Sequence, residues 1–167
     1  MTQRIVIMGV SGSGKSSVGV ALSERLGIPY LDGDTLHSPA NIRKMQAGEA
    51  LTDADRWPWL DRVSQELASQ APVIIGCSAL RRAYRDRIRA GAGGPVCFVH
   101  LAGSRALIAA RMAARSGHFM PASLLDSQFA ALEPPGPDED AVTVDIDQPL
   151  DRLVSDILHR MNSPSAD

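Results

Sequence analysis

Aromatic residues make up 4% of the 167 positions and the formal net charge is −2. The chain therefore has neither the basic field nor the stacking surface expected of a nucleic-acid binder. No apolar run approaches the roughly 20 residues that span a bilayer, so no membrane partner is expected. The opening Met1-Thr2-Gln3-Arg4 leads directly into the first apolar run, so no signal peptide is expected either. Cysteine occurs only at Cys77 and Cys97, without the spacing of a metal site or a disulfide framework. Both are expected to pack as small apolar side chains in a reducing, cytoplasmic setting.

Against these absences, the chain alternates short apolar runs with helical patterns. The runs are Ile5–Met8, Pro29–Leu31, Val73–Ile75, Cys97–Leu101 and Val142–Val144. The clearest helical pattern, Leu150, Leu153, Val154, Ile157, Leu158 and Met161, begins just after Pro149 and recurs at three- and four-residue steps. Such alternation predicts an α/β fold, a five-stranded parallel sheet with helices on both faces. Ligands of such sheets bind beyond the carboxyl ends of the strands. Residues 1–162 read as a single domain and 163–167 as a frayed tail.

The most informative stretch follows the first run. Gly9-Val10-Ser11-Gly12-Ser13-Gly14-Lys15-Ser16 matches the G-x-x-x-x-G-K-[ST] phosphate loop, and it stands between a strand-like run and a helical pattern, as that loop requires. Glycines let the backbone curl so that N–H groups point inward at phosphate oxygens. Lys15 adds charge over the β- and γ-phosphates, and the Ser16 hydroxyl is placed to ligate Mg²⁺. The helix dipole assists, with Ser17 also counted among the nucleotide-binding residues. The sequence thus predicts a P-loop NTPase that binds a nucleoside triphosphate, ATP being the expected one.

A second constellation follows the second run: Asp32-Gly33-Asp34-Thr35-Leu36-His37, then Asn41, Lys44-Met45, Gly48 and Leu51 through Leu60. Two carboxylates two residues apart can divide labour between metal and acceptor hydroxyl. Asp-Gly is equally a common turn dipeptide, and the residues alone leave both readings open. The third run ends in Ile74-Ile75-Gly76-Cys77-Ser78 with no acidic residue where a metal-side aspartate usually stands, which shifts that role toward Asp32.

At this point the chain resembles the gluconokinase family, of the thermoresistant type, among the shikimate-kinase-like and adenylate-kinase-like small-molecule kinases. Four blocks carry the resemblance: Gly9–Ser16; Asp32 to His37 with Asp53 to Leu60; Cys77 to Arg85; and Gly117-His118-Phe119-Met120-Pro121 through Gln128-Phe129 to Leu132-Glu133. It implies ATP-dependent phosphorylation of the 6-hydroxyl of D-gluconate with Mg²⁺, in a cytoplasmic homodimer. It further implies Asp34 as the group that orients the hydroxyl and accepts its proton, and Asp32 as holder of a metal-bound water. His37, Arg56, Ser78, Arg81 or Arg82, His118 and Gln128 are implied around the polyhydroxy acid, and Gln148-Pro149 near the adenine. Arg111 and Arg115, four apart and so on one helix face, are expected to reach phosphate from a lid over about 111–121, with Arg115 catalytic.

Other residues carry plainer expectations. Arg81, Arg82, Arg85, Arg87 and Arg89 share one expected helix whose face is mostly solvated. His100 is expected as a satisfied core residue and His159 as a surface one. A kinase of another small hydroxy acid, such as shikimate, is the rival reading on the same fold. A nucleotide-binding switch or ATPase module is the rival from another class.

Overall fold

In strand β1 (Arg4–Met8) successive side chains point to opposite faces, and both faces are buried. Ile5 and Ile7 join Val18, Leu22, Ile74, Val99, Leu101, Leu153 and Ile157 in one apolar layer. Val6 and Met8 join Trp59, Leu60, Val63, Leu67, Ile75, Tyr84, Ile88 and Phe98 in the other. A strand covered on both sides reads as a continuous apolar run, as this one does.

This computed structural model describes residues 3–114 and 122–162. After β1 come α1 (Lys15–Leu26), β2 (Tyr30–Asp32), a 3₁₀ turn (Gly33–Leu36), α2 (Pro39–Gln46) and α3 (Asp53–Gln70). Then follow β3 (Val73–Gly76), α4 (Arg82–Gly91), β4 (Cys97–Ala102), α5 (Arg105–Ala114), α6 (Ala122–Ala131), β5 (Ala141–Asp145) and α7 (Leu150–Asn162). The sheet order is β2-β3-β1-β4-β5, and every pair is parallel. All five strands expected from the sequence form. Helices α1 and α7 pack together on one face and α3 and α4 on the other.

Three details of the sheet position the site. At Gly76, the last residue of β3, a Cβ would come 2.4 Å from the Tyr30 hydroxyl. A side chain at this strand end would therefore have to displace the Tyr30 phenol. Thr52 and Asp55 cap α3 reciprocally: the Thr52 hydroxyl accepts from the Asp55 N–H at 3.1 Å, and Asp55 Oδ2 from the Thr52 N–H at 2.9 Å. Such a capping box satisfies two otherwise orphaned donors and fixes where α3 begins beneath the site. The third detail is a buried arginine, and it corrects a sequence expectation. Arg85 of α4 is fully buried rather than solvated. Its guanidinium donates to both Glu139 oxygens at 2.7 and 3.1 Å and to the carbonyls of Ala79, Leu80 and Glu133. Ala79 has a left-handed φ of 47°, so the chain after β3 turns sharply and presents carbonyls that no ladder satisfies. Only a long, many-donor side chain can reach them all.

Buried His100 departs from expectation as well. Its Nδ1 has no partner, and burial, with Arg85 nearby, lowers its pKa. Cys77 and Cys97 are free thiols, and burial pushes both up to about 12, consistent with inert packing.

Candidate active site

Between β1 and α1 the loop takes the conformation its glycines allow, with φ of 80° at Gly12 and 96° at Gly14. Lys15 Nζ folds back onto the loop, donating to the carbonyls of Gly9 at 3.0 Å and Val10 at 3.1 Å. Burial lowers its pKa, opposed by Asp34, Cys77 and Asp32. The Ser13 hydroxyl is buried without a partner. A buried donor, a curled run of backbone N–H groups and a lysine with only carbonyl partners suit a polyphosphate.

One side of the loop opens into a cleft of about 420 Å³ lined by Gly12, Ser13, Gly14, Ser17, Arg111 and Gln148, among others. Arg111 Nη2 donates to the Ile146 carbonyl at 2.6 Å, and Gln148 Nε2 to the Asp145 carbonyl at 2.7 Å. These two side chains therefore brace the strand-end turn on which a base could rest. Pro149 supplies the carbonyl that accepts from the Leu153 N–H at 2.9 Å, opening α7.

On the other side lies a smaller cavity of about 190 Å³, whose walls include Ser11, Lys15, Asp34, His37, Arg56, Ser78 and Gln128. Residues far apart in sequence thus converge beyond the carboxyl ends of β1, β2 and β3. Burial raises the Asp34 pKa, Lys15 lowers it and Asp32 raises it further. Asp32 caps the 3₁₀ turn, its Oδ1 accepting from the Asp34 N–H at 2.9 Å. The turn reading and the acidic-site reading of Asp32-Gly33-Asp34 are thus compatible: one carboxylate shapes the turn that aims the other. Arg56 donates to the Tyr84 hydroxyl at 3.2 Å and lies 3.6 Å from Asp53 Oδ1. Its guanidinium stands 5.3 Å from the Tyr84 ring centre.

Gln128 does more than line this cavity. Its Oε1 accepts from the Ser11 N–H at 2.6 Å, and its Nε2 donates to Ser11 Oγ at 3.0 Å. Helix α6 is thereby fastened to the phosphate loop. Arg82 departs from its expected place. It forms a two-pronged pair with Asp138 at 3.0 and 2.6 Å on the exposed side of α4, and its own N–H is held by Glu133. Arg81 caps the start of α4, exposed, and neither arginine is among the cavity's lining residues. Helix α4 begins one residue after Arg81, and its buried face is taken by Tyr84, Arg85 and Ile88, which turns Arg82 outward. Arg115 and His118, with most of the expected lid, lie outside the described residues, as does the tail 163–167.

Among the described residues, no group of three or more His, Cys, Asp or Glu converges as a metal cage. A magnesium ion that keeps phosphates and waters as ligands needs only one or two protein oxygens. Ser16 in the first turn of α1 and Asp32 at the end of β2 are the oxygen donors the sequence offers for it.

Sequence reasoning gave no role to the residues that support these groups, although Asn41, Trp59 and Tyr84 lie in the stretches it singled out. Trp59 stacks on His37, ring centres 4.0 Å apart, and Asn41, Tyr84 and Glu49 line or brace the cavity. Asn41 carries the plainest signal of its own, as an amide on the face of α2 that also carries Lys44.

The family model described as an AAA domain matches residues 5–135. A gluconokinase from Gluconobacter oxydans (strain 621H) is 43% identical over 95% of this chain and 91% of its own length. The thermoresistant gluconokinase of Escherichia coli (strain K12) is 44% identical over 90% of this chain and 88% of its own. The crystal structure of a gluconokinase from Sinorhizobium meliloti 1021 superposes with a TM-score of 0.90 at 52% identity, covering 95% of this chain and 91% of that one. With its phosphate loop and an acid, an arginine and a histidine converging beside it, the chain belongs to the gluconokinase family of P-loop proteins.

Proposed function

We propose that this protein transfers the γ-phosphoryl group of ATP to the 6-hydroxyl of D-gluconate. The observation that carries the reading is the convergence of Lys15, Asp34, His37, Arg56 and Ser78 on one small cavity adjoining the phosphate loop. Phosphoryl transfer leaves little covalent work for protein groups, so positioning and charge neutralisation do most of it.

Asp34 is the base. It takes the proton from the acceptor hydroxyl as that oxygen bonds to phosphorus and the bond to the β–γ bridging oxygen breaks. Its raised pKa brings it nearer the operating pH, where a general base is most effective. Lys15 leaves its carbonyl partners for phosphate oxygens, where its charge answers charge developing in the transition state. Arg56, held by Tyr84 and Asp53, supplies the cation for the gluconate carboxylate; an arginine fork matches that planar group. Ser78 and His37 offer hydrogen bonds to the hydroxyls.

Ser16 and Asp32 would hold Mg²⁺, Asp32 through a bound water, and the ion supplies neutralisation of the phosphate charge. Family resemblance supports a homodimer in the cytoplasm, which light scattering and cell fractionation can check. The test of function is direct. Purified protein should release ADP with gluconate but not with shikimate, glycerate or no acceptor, and mass spectrometry should find 6-phosphogluconate. Gluconate-independent hydrolysis without that product overturns the assignment.

A further inference from the structure

His37 follows the 3₁₀ turn and is 5% exposed, its ring stacked 18° from parallel on Trp59. The indole is fixed in turn, because Trp59 Nε1 donates to the Gly33 carbonyl at 2.8 Å. The carbonyl just before His37, on Leu36, is held by Arg62 at 2.7 Å. The imidazole thus lies flat on an indole that is itself held, and the backbone leading into it is held as well.

Asn41, also 5% exposed, touches both His37 and α3. Its Nδ2 lies 2.9 Å from the Asp55 carbonyl oxygen and 3.2 Å from His37 Nδ1. A backbone carbonyl can only accept, so the amide atom facing it must be the nitrogen rather than the oxygen. One amide hydrogen goes to Asp55 and the second points at His37 Nδ1. A nitrogen that accepts carries no proton, so a neutral imidazole here has its proton on Nε2. The imidazolium is disfavoured because its Nδ1–H would face the amide N–H. Asn41 is itself anchored, its backbone N–H donating to Ser38 Oγ at 3.1 Å.

We propose that Asn41 is a positioning residue that locks His37 as the Nε2–H tautomer, giving the cavity a fixed, uncharged donor for an oxygen of the substrate. The identity of that oxygen's owner rests on the gluconate reading; the tautomer does not. The charged groups around His37 are Asp34 from the 3₁₀ turn, Lys15 from α1, Lys44 from α2, Asp55, Arg56 and Arg62 from α3, and Glu49 from the loop after α2. Asp55 is spent on Lys44 at 2.8 Å, while Asp34, Arg56 and Glu49 line the cavity with His37. Burial and the Arg56 guanidinium hold His37 down to about 4, so the donor persists through the neutral range. Recognition is thereby divided: Arg56 supplies charge, and His37 supplies a directional hydrogen bond that favours a hydroxylated acid over any anion.

The experiment has two arms. Nitrogen-detected NMR of the ligand-free protein, with His37 assigned by its absence in His37→Gln, should show Nε2 protonated and Nδ1 bare from pH 5.5 to 8. A proton on Nδ1, or titration near the ordinary histidine value, overturns the proposal whatever the protein phosphorylates. The second arm is Asn41→Asp, assayed at pH 8: its carboxylate can only accept and also favours the imidazolium, so the neutral ring with its proton drawn to Nδ1 is read above the range where that cation forms. The KM for gluconate should rise roughly five- to tenfold, the size of one good hydrogen bond, with kcat and ATP affinity little changed. His37→Gln, whose amide nitrogen reaches the Nε2 position, should recover more gluconate affinity than His37→Asn. A moved proton with an unchanged KM overturns the donor role. The expected tautomer in a protein that ignores gluconate supports the lock and overturns the substrate reading instead.

Discussion

Replacing Arg85 by alanine should be among the most destabilising single changes in this chain. The side chain is fully buried, and Glu139 beside it is 1% exposed. Removing the guanidinium leaves Glu139 with Arg89, at 2.6 Å, and the Gly136 N–H as partners. The carbonyls of Ala79 and Glu133 lose donors at 2.9 Å, while that of Leu80 keeps the Glu133 N–H at 2.7 Å. Breaking a buried pair costs about 3–5 kcal/mol, because one charge stays behind in a poor solvent. For a domain of this size each kcal/mol is worth about 2–4 °C, so the midpoint should fall by roughly 6–20 °C. The variant would be followed by calorimetry and urea unfolding at pH 7. Glu139→Gln, which keeps shape and removes charge, should lose less. The same pair predicts an acid limb. Burial works against ionisation of Glu139, but hydrogen bonds from Arg85, Arg89 and the Gly136 N–H outweigh it and hold the carboxyl at about 2. A depressed carboxyl stabilises the fold above its ordinary value of 4.5 and loses that contribution as pH falls toward 2, on the order of 3 kcal/mol in all. Wild type should therefore weaken steeply between pH 4.5 and 2, and Glu139→Gln less so. An Arg85→Ala protein within 1 kcal/mol of wild type at pH 7 would refute this account of the turn after β3.

Two further predictions concern the site. Asp34→Asn should abolish most turnover while ATP binding, read by calorimetry, stays near wild type; Asp32→Asn should instead raise the Mg²⁺ concentration needed for half-maximal rate, and identical metal titrations for the two would end that division of labour. Gln128→Glu keeps an acceptor for the Ser11 N–H but loses the donor to Ser11 Oγ and adds negative charge beside the phosphates. It should weaken ATP binding about tenfold, on the order of 1–2 kcal/mol, and more than Gln128→Ala does; equal ATP affinity in wild type and the glutamate variant would remove Gln128 from the phosphate loop's surroundings.

How much of this was legible in the sequence depended on the range of the interaction. The five strands and the phosphate loop are local: apolar runs and glycine-rich curls declare themselves within ten residues. Asp34, His37, Arg56, Ser78 and Gln128 could be named by resemblance, yet nothing in the order of residues says that Gln128 fastens α6 to a loop 117 positions away. The arginines of α4 show the limit most clearly. Arg81, Arg82, Arg85, Arg87 and Arg89 are the same residue type on one helix and its N-cap, and composition gives no ground for separating them. Their fates diverge with angle around the helix. Arg82 meets Asp138 in solvent and Arg87 meets Asp61 on the outer side of α3. Arg85, on the same face as Ile88, is driven into the core.

That burial is tolerable only because a turn elsewhere needs donors. Ala79 at positive φ turns the chain three residues beyond the end of β3 and leaves carbonyls pointing inward, and the 133–139 segment returns past them with Glu139. An isolated buried guanidinium would be expelled or left uncompensated; here three carbonyls and a carboxylate receive it together. The same turn carries Ser78, whose carbonyl accepts from the Gly9 N–H at 3.2 Å and which lines the cavity. The buried arginine therefore links the far side of the sheet to the phosphate loop through one short stretch of backbone. Its loss should register in gluconate KM as well as in stability, a coupling visible only once distant segments share one volume.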